Sequence, residues 1–139
     1  MPYEISWYIE NEIIYARYSG VQTVEEVRQS LIECNNFIAR SPRHLVHVIS
    51  DVGDITKPLR PVESLKLIRE VGTHARLGWT IILYEKSILI KMGVAFGTAV
   101  FKSRNRTYKR IEDAIKFMKK ADAELSWDKV TNPIQARTR

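Results

Sequence analysis

The chain has 139 residues, of which 45% are hydrophobic and 27% are charged. This length and composition fit one globular domain with a single core and leave little room for a second domain. The only cysteine, Cys34, cannot form an internal disulfide, which excludes a disulfide scaffold and favours a reducing, cytoplasmic location. The first residues lack the basic and apolar regions of a cleaved signal, so we expect no secretion.

The net charge of +6 is unevenly distributed. Residues 1–70 carry eight basic and ten acidic side chains, whereas residues 71–139 carry fourteen and six. A basic stretch at 102–120 is typical either of solvated charges that keep a protein soluble, which we favour, or of a surface that holds phosphates. Nucleic-acid binding is disfavoured because Tyr108 is the only aromatic residue between Lys102 and Lys116.

Hydrophobic periodicity predicts alternating strands and helices. The predicted elements are strands at 3–10 and 13–18, a helix from the Thr23 cap to about 40, a strand at 44–52, a helix at 62–73, a strand at 77–84, a helix at 87–102, a strand at 105–109 and a helix at 112–125. Residues 51–57 and 58–61 are predicted to form the loop after the third strand. Residues 1–125 are then one domain, and 126–139 are an extended or disordered tail.

Three local patterns support these assignments. Thr23 with Glu26 three residues later is a capping-box pattern at a helix start. Cys34 lies on the apolar stripe of that helix, so we interpret it as a small hydrophobic core residue rather than a nucleophile. The long apolar tract at 77–101 is interrupted by Glu85, Lys86 and Lys91, which argues against a transmembrane span.

The fold class follows from this order. An opening β-hairpin followed by alternating helices and strands predicts an α/β domain with a mixed sheet that is largely parallel at its centre. Right-handed crossovers and helices on both faces are expected.

The chain resembles the SpoIIAA-like branch of the STAS superfamily, a fold also related to lipid-exchange domains of the Sec14 type. The resemblance spans about residues 3–125. It is carried by Tyr18-Ser19-Gly20 before Val24-Glu25-Glu26-Val27, by the strand at 44–52, and by the segment at 108–118 that ends in Glu112-Asp113-Ala114-Ile115-Lys116-Phe117-Met118.

The carboxyl ends of the parallel strands are the expected binding edge of such a sheet. We assign five candidate residues to this edge as a ligand or partner site: Asp51, Asp54, Thr56, Lys57 and Ser87. The resemblance implies a phosphorylatable serine in the loop after the third strand, where the family has an aspartate followed by paired serines and a glycine. Here Asp51 is followed by Val-Gly-Asp-Ile-Thr, so a phospho-switch at this loop is not expected.

No cofactor or metal site is predicted. Asp51 and Asp54 are carboxylates that suit Mg²⁺ or Ca²⁺, but two carboxylates without a third ligand more often serve as turn or cap residues. The histidines His44, His47 and His74 do not fall at a zinc-ligand spacing.

The predicted helix at 87–101 is apolar on nearly every side, with Lys91 as the one charge, so it needs a second cover. A homodimer interface is favoured, with Ile88, Met92, Phe96 and Val100 on the covered face. The alternatives are an apolar ligand, whose anionic head group Arg104, Arg106 or Arg110 would bind, a membrane surface, and cover by neighbouring elements of the same chain.

Together these observations predict a non-enzymatic regulatory or protein-interaction module, resembling SpoIIAA-like domains and dimeric. A carrier of a lipid-like small molecule is the alternative, and nucleic-acid binding through the basic C-terminal third is the weaker one.

Overall fold

A computed structural model of the chain describes residues 3–85 and 104–131. Within these ranges it contains five strands, three α-helices and one short 3₁₀ helix. The strands are β1 (Tyr3–Ile9), β2 (Ile13–Val21), β3 (Val46–Lys57), β4 (Leu77–Leu83) and β5 (Asn105–Tyr108). The helices are α1 (Val24–Arg40), α2 (Pro61–Val71), α3 (Ile111–Ala121) and the 3₁₀ helix Trp127–Lys129. The predicted helix at 87–102, with Ser87, Ile88, Met92, Phe96 and Val100, lies outside the described residues.

The five strands form one mixed sheet in the order β1-β2-β3-β4-β5. The hairpin pair β1 and β2 is antiparallel, and every other pair is parallel. The turn of the hairpin contains Asn11 at φ 66°, a left-handed conformation that asparagine tolerates better than most residues. The predicted α/β class with an opening hairpin and a parallel centre is therefore confirmed.

Helices cover both faces of the sheet because successive side chains of a strand point to opposite sides. One face packs against α1, through Ile14, Ala16 and Val48 of the sheet and Ile38 of the helix. The other face packs against α3, and its core contains Ile13, Tyr15, Ile49, Ile81, Leu83, Ala114 and Met118. Cys34 packs on the α1 side, as predicted, and burial raises the pKa of its thiol to about 12.

The sequence analysis was wrong about residues 51–57. They form no loop: β3 continues to Lys57 and stays paired with β2, which itself runs on to Val21. The glycine and aspartates that indicated a turn instead form an irregularity within the ladder, which lets the strand continue.

The segment after α3 also differs from its prediction. The helix ends at Ala121 rather than near 125, and Asp122 is its C-cap. Trp127 and Val130 pack on the core, and Val130 forms a β-bridge with Ile9. The described residues 126–131, which show no helical period in the sequence, are thus held by contacts with the sheet.

Candidate functional site

A buried pair of polar side chains joins the first half of β2 to the middle of β3. The Tyr15 hydroxyl donates a hydrogen bond to Asp51 Oδ2 at 2.5 Å, and the Gly53 N–H donates to Asp51 Oδ1 at 3.1 Å. Asp51 is fully buried and Tyr15 is 4% exposed. Charged oxygens are costly to bury without donors, so these bonds explain how the sheet holds a carboxylate in its interior.

A bulge in β3 places a second aspartate on the same face. Arg17 is opposite Asp51 and Ser19 is opposite Asp54, so β3 contains one more residue than β2 between these positions. Residues three apart on a regular strand point to opposite faces, and the extra residue restores Asp54 to the face of Asp51. The Gly53 N–H that bonds to Asp51 belongs to this bulge.

Asp54 forms an ion pair with Arg17. Arg17 Nη2 lies 2.7 Å from Asp54 Oδ2, and the Nε–H donates to the same oxygen at 3.2 Å. The two side chains are 36% and 30% exposed, so the pair lies at the surface above the buried Tyr15 and Asp51. The arrangement is a rigid polar cluster whose inner half is buried and whose outer half is accessible.

Exposed side chains surround this edge. Thr56 and Lys57 are exposed at the end of β3, as a surface site requires. Val21, opposite Lys57 at the end of β2, is 58% exposed, and Val62 in the first turn of α2 is 55% exposed. These are the two most exposed large hydrophobic residues of the described chain, and both lie at this end of the sheet.

The helix N-termini at this edge already carry negative charge. Glu25 and Glu26 occupy the first turn of α1, where the Glu26 N–H donates to Thr23 Oγ1. Glu63 occupies the first turn of α2 and accepts a hydrogen bond from the Arg60 N–H. A bound anion would compete with these carboxylates for the positive ends of the helix dipoles. These helix N-termini are therefore poorly suited to bind a phosphate.

Two of the three arginines predicted as anion-binding candidates, Arg104 and Arg110, lie at opposite ends of β5. Arg104 precedes β5 and Arg110 follows it, and six residues of extended chain at roughly 3.3 Å each span about 20 Å. The guanidinium of Arg106 lies over the rings of Phe117 and Trp79, at 4.9 and 5.6 Å from their centroids. Arg110 Nε lies 3.5 Å from a carboxylate oxygen of Glu112.

A second polar cluster lies at the opposite end of β3. His47, which is 1% exposed, contacts Asp122 Oδ2 through Nε2 at 2.8 Å, and its Nδ1 accepts the Trp79 N–H at 2.9 Å. Arg43 Nη2 lies 2.7 Å from the same Asp122 oxygen. Because Nδ1 is an acceptor, Nε2 carries the proton and the ring is neutral. The cluster fixes the end of α3 to the sheet.

Burial explains the protonation states of this second cluster. Burial lowers the pKa of His47 below its ordinary value and outweighs the hydrogen bond with Asp122. Burial alone would raise the pKa of Asp122, but the hydrogen bond from His47 and the nearby Arg43 guanidinium hold it below its ordinary value. We interpret the cluster as structural because His47 has almost no access to solvent.

Neither a metal cluster nor a membrane-spanning helix is found in the described ranges. No group of three or more histidine, cysteine, aspartate or glutamate side chains is arranged there to hold a metal ion. No helix within 3–85 and 104–131 is long and apolar enough to cross a membrane.

Sequence reasoning missed Tyr15 and Arg17. They are alternate residues of one strand, so they share a face, and the parallel register of β2 with β3 brings that face to Asp51 and Asp54. The alternation was visible in the sequence, whereas the register and the bulge were not.

The comparisons place the fold. No protein-family model matches the sequence, and a comparison with curated proteins finds no match. The described architecture, a mixed sheet with helices on both faces, matches the fold of SpoIIAA. Among solved structures the chain is similar to the anti-sigma factor antagonist SpoIIAA in its unphosphorylated form, with a TM-score of 0.52. The match covers 89% of this chain and 99% of SpoIIAA at 15% sequence identity, which supports the predicted resemblance at the level of fold.

Proposed function

We propose that this protein is a non-enzymatic regulatory module that binds a protein partner at the carboxyl edge of its sheet, around Arg17, Asp54, Lys57, Val21 and Val62. The observation that carries the proposal is the exposure of two valines at the end of the sheet towards which β2 and β3 run, the same two strands that carry the partly exposed Arg17–Asp54 ion pair. Apolar side chains ringed by polar ones are characteristic of protein-binding surfaces.

The fold supports the same class of function. The SpoIIAA structure to which the chain is similar is described as an anti-sigma factor antagonist. Here Asp51 is followed by a bulged strand and no serine stands there, so we propose that binding at this edge does not depend on serine phosphorylation. The buried Tyr15 and Asp51 support the surface and do not take part in chemistry.

Site-specific photo-crosslinking in the source cells tests the proposal. A photo-reactive amino acid replaces Val21 or Val62 in the full chain, and the matched control carries it at Ile32, an exposed apolar residue of α1 that is 38% exposed. We expect the same protein to be crosslinked from both valine positions and not from Ile32. Crosslinks that do not differ between the three positions would contradict the proposal.

The captured protein is then purified and titrated against variants. Val62→Asp and Val21→Asp each place a charge in the apolar part of the surface, and we expect each to weaken binding by about tenfold or more. Ile32→Asp is the matched control and should bind like the wild type. Equal affinities for all three variants would show that the interface lies elsewhere on the protein.

Self-association and apolar-ligand binding remain separate proposals, because the predicted helix at 87–101 that supports them lies outside the described residues. Native mass spectrometry of freshly purified protein separates them. A clean dimer supports the homodimer, whereas a monomer with added mass supports the carrier. Cytoplasmic location is likewise a proposal, supported by the single cysteine.

A further inference from the structure

We propose that the outer edge of β5 binds an extended, acidic segment of a partner protein by strand addition. This surface is separate from the carboxyl edge described above, and the proposal does not depend on the function proposed there. In the described part of the chain β5 is the last strand of the sheet and pairs only with β4. An edge strand presents main-chain donors and acceptors to which another extended chain can pair.

The hydrogen bonds with β4 show which residue of β5 faces outward. The Thr80 N–H donates to the Arg104 carbonyl at 2.9 Å, and the Tyr84 N–H donates to the Tyr108 carbonyl at 3.2 Å. In a parallel ladder alternate residues direct their main-chain groups to the same neighbour. Arg104, Arg106 and Tyr108 therefore face β4, and the N–H and C=O of Thr107 face away from the sheet. The Thr107 side chain is exposed.

An aromatic cluster holds a cation beside this edge. The rings of Trp79 and Phe117 are 4.8 Å apart and nearly perpendicular, and the Tyr108 ring lies 6.0 Å from that of Phe117. The Arg106 guanidinium covers Phe117 and Trp79 but remains exposed to solvent. Stacking on the rings restricts the conformations of the Arg106 side chain before a partner binds. Trp, Tyr and Arg are also the residues that contribute most binding free energy at protein interfaces.

The charge of the edge selects the partner. Residues 104–109 include Arg104, Arg106 and Lys109, all exposed, and no acidic residue, whereas Arg110 is paired with Glu112. Two copies of this strand would repel each other, whereas an acidic strand would be attracted. A nucleic acid fits less well, because Arg106 already covers the aromatic faces on which bases would stack. An acidic polypeptide uses both the cations and the outward main-chain groups of Thr107.

Fluorescence anisotropy with a synthetic probe tests the proposal. The probe is a labelled peptide that alternates glutamate with valine or threonine, and the full chain is titrated into it. Thr107→Pro removes the outward N–H and keeps every charge, and proline is tolerated at an edge position whose N–H faces solvent. We expect it to weaken binding by about tenfold or more. Arg106→Gln should weaken binding similarly, and Lys66→Gln, at an exposed lysine of α2, is the matched control and should not.

Each other result overturns the proposal. If Thr107→Pro binds the probe as tightly as the wild type, the attraction is that of a polyanion and not strand addition. Equal weakening by Lys66→Gln indicates non-specific charge, and stronger binding of a single-stranded oligonucleotide of equal charge indicates a nucleic-acid surface. Circular dichroism checks that Thr107→Pro folds. Should it not fold, the decision rests on Arg106→Gln and on whether the Thr107 amide resonance of the wild type shifts when the probe is added.

Discussion

The Tyr15 hydroxyl and the Asp51 carboxylate form a 2.5 Å hydrogen bond between adjacent parallel strands, in a region almost closed to solvent. Asp51 also accepts a hydrogen bond from the N–H of Gly53, which belongs to the bulge in β3. That bulge places Asp54 on the same face as Asp51, at the candidate edge. The buried Asp51 is thus linked through the bulge to the partly exposed Arg17–Asp54 ion pair.

Removing the tyrosine hydroxyl tests this dependence. Tyr15→Phe leaves the buried Asp51 without one of its donors, and we expect a loss of about 1–3 kcal/mol in the free energy of unfolding. Urea denaturation measures it. The control is Tyr18→Phe, which removes a hydroxyl that donates to another hydroxyl, that of Ser30, at 3.1 Å. A loss for Tyr15→Phe no larger than that for Tyr18→Phe would contradict the role assigned to the pair.

The order of elements could be predicted from the sequence because it depends on local period. Alternation in the hairpin, the near-continuous apolar run of β3 and the helical spacing in α1 each determine their own element and face. The bulge between Asp51 and Asp54 could not be predicted, because it is a mismatch between two strands and exists only once they pair. Gly53 between Asp51 and Asp54 is a local turn signal and predicts a loop, because the sequence does not show that this segment pairs with β2.

The contact between His47 and Asp122 could not be predicted either. His47 and Asp122 are 75 positions apart, and the sequence places His47 in a strand without indicating what faces it. Likewise, Trp127 and Val130 have no period of their own and are ordered by contacts with the first strand. Sequence patterns indicate local structure and do not show which residues far apart in the chain contact each other.

Gly78 is required by the packing of His47. A Cβ atom at position 78 would lie 2.4 Å from His47 Nδ1 and 2.6 Å from Cε1, closer than such atoms approach each other. We expect Gly78→Ala to destabilise the protein by about 1–3 kcal/mol, as overpacking does in other cores. The double variant with His47→Ala removes the collision, so the two changes together should cost less than the sum of their separate effects. If the double-mutant cycle shows that the two losses in stability are strictly additive, the glycine is needed for another reason.

Stability should fall as the pH is lowered, because His47 is neutral in the folded protein. Its pKa in the folded state lies below the ordinary value of about 6.5, so the unfolded chain binds the proton more readily. The stability contributed by the neutral ring is fully present above that ordinary value and is lost as the pH falls through it toward the lower folded pKa. The urea midpoint should therefore decrease between neutral pH and about pH 5. A His47→Gln variant should show a flatter dependence, and an equal slope for both proteins would exclude His47 as its source.

Arg76 closes the end of α1. Its guanidinium donates to the carbonyls of Ile38 and Ala39 in the last turn of α1, at 2.9 and 3.3 Å, and to those of Ser41 and Arg43 just beyond it, at 2.5 and 2.7 Å. One cation therefore binds four carbonyls at the helix end. We expect Arg76→Ala to lower the free energy of unfolding by about 2–4 kcal/mol, since hydrogen bonds to a charged donor are stronger than neutral ones and several are lost together. Arg69→Ala, at an exposed arginine in the last turn of α2, is the matched control and should cost less than about 0.5 kcal/mol. Arg76→Lys keeps the charge but has no planar fork, and it should recover only part of the loss. Full recovery by lysine would mean that the charge near the helix end matters and the individual carbonyl bonds do not.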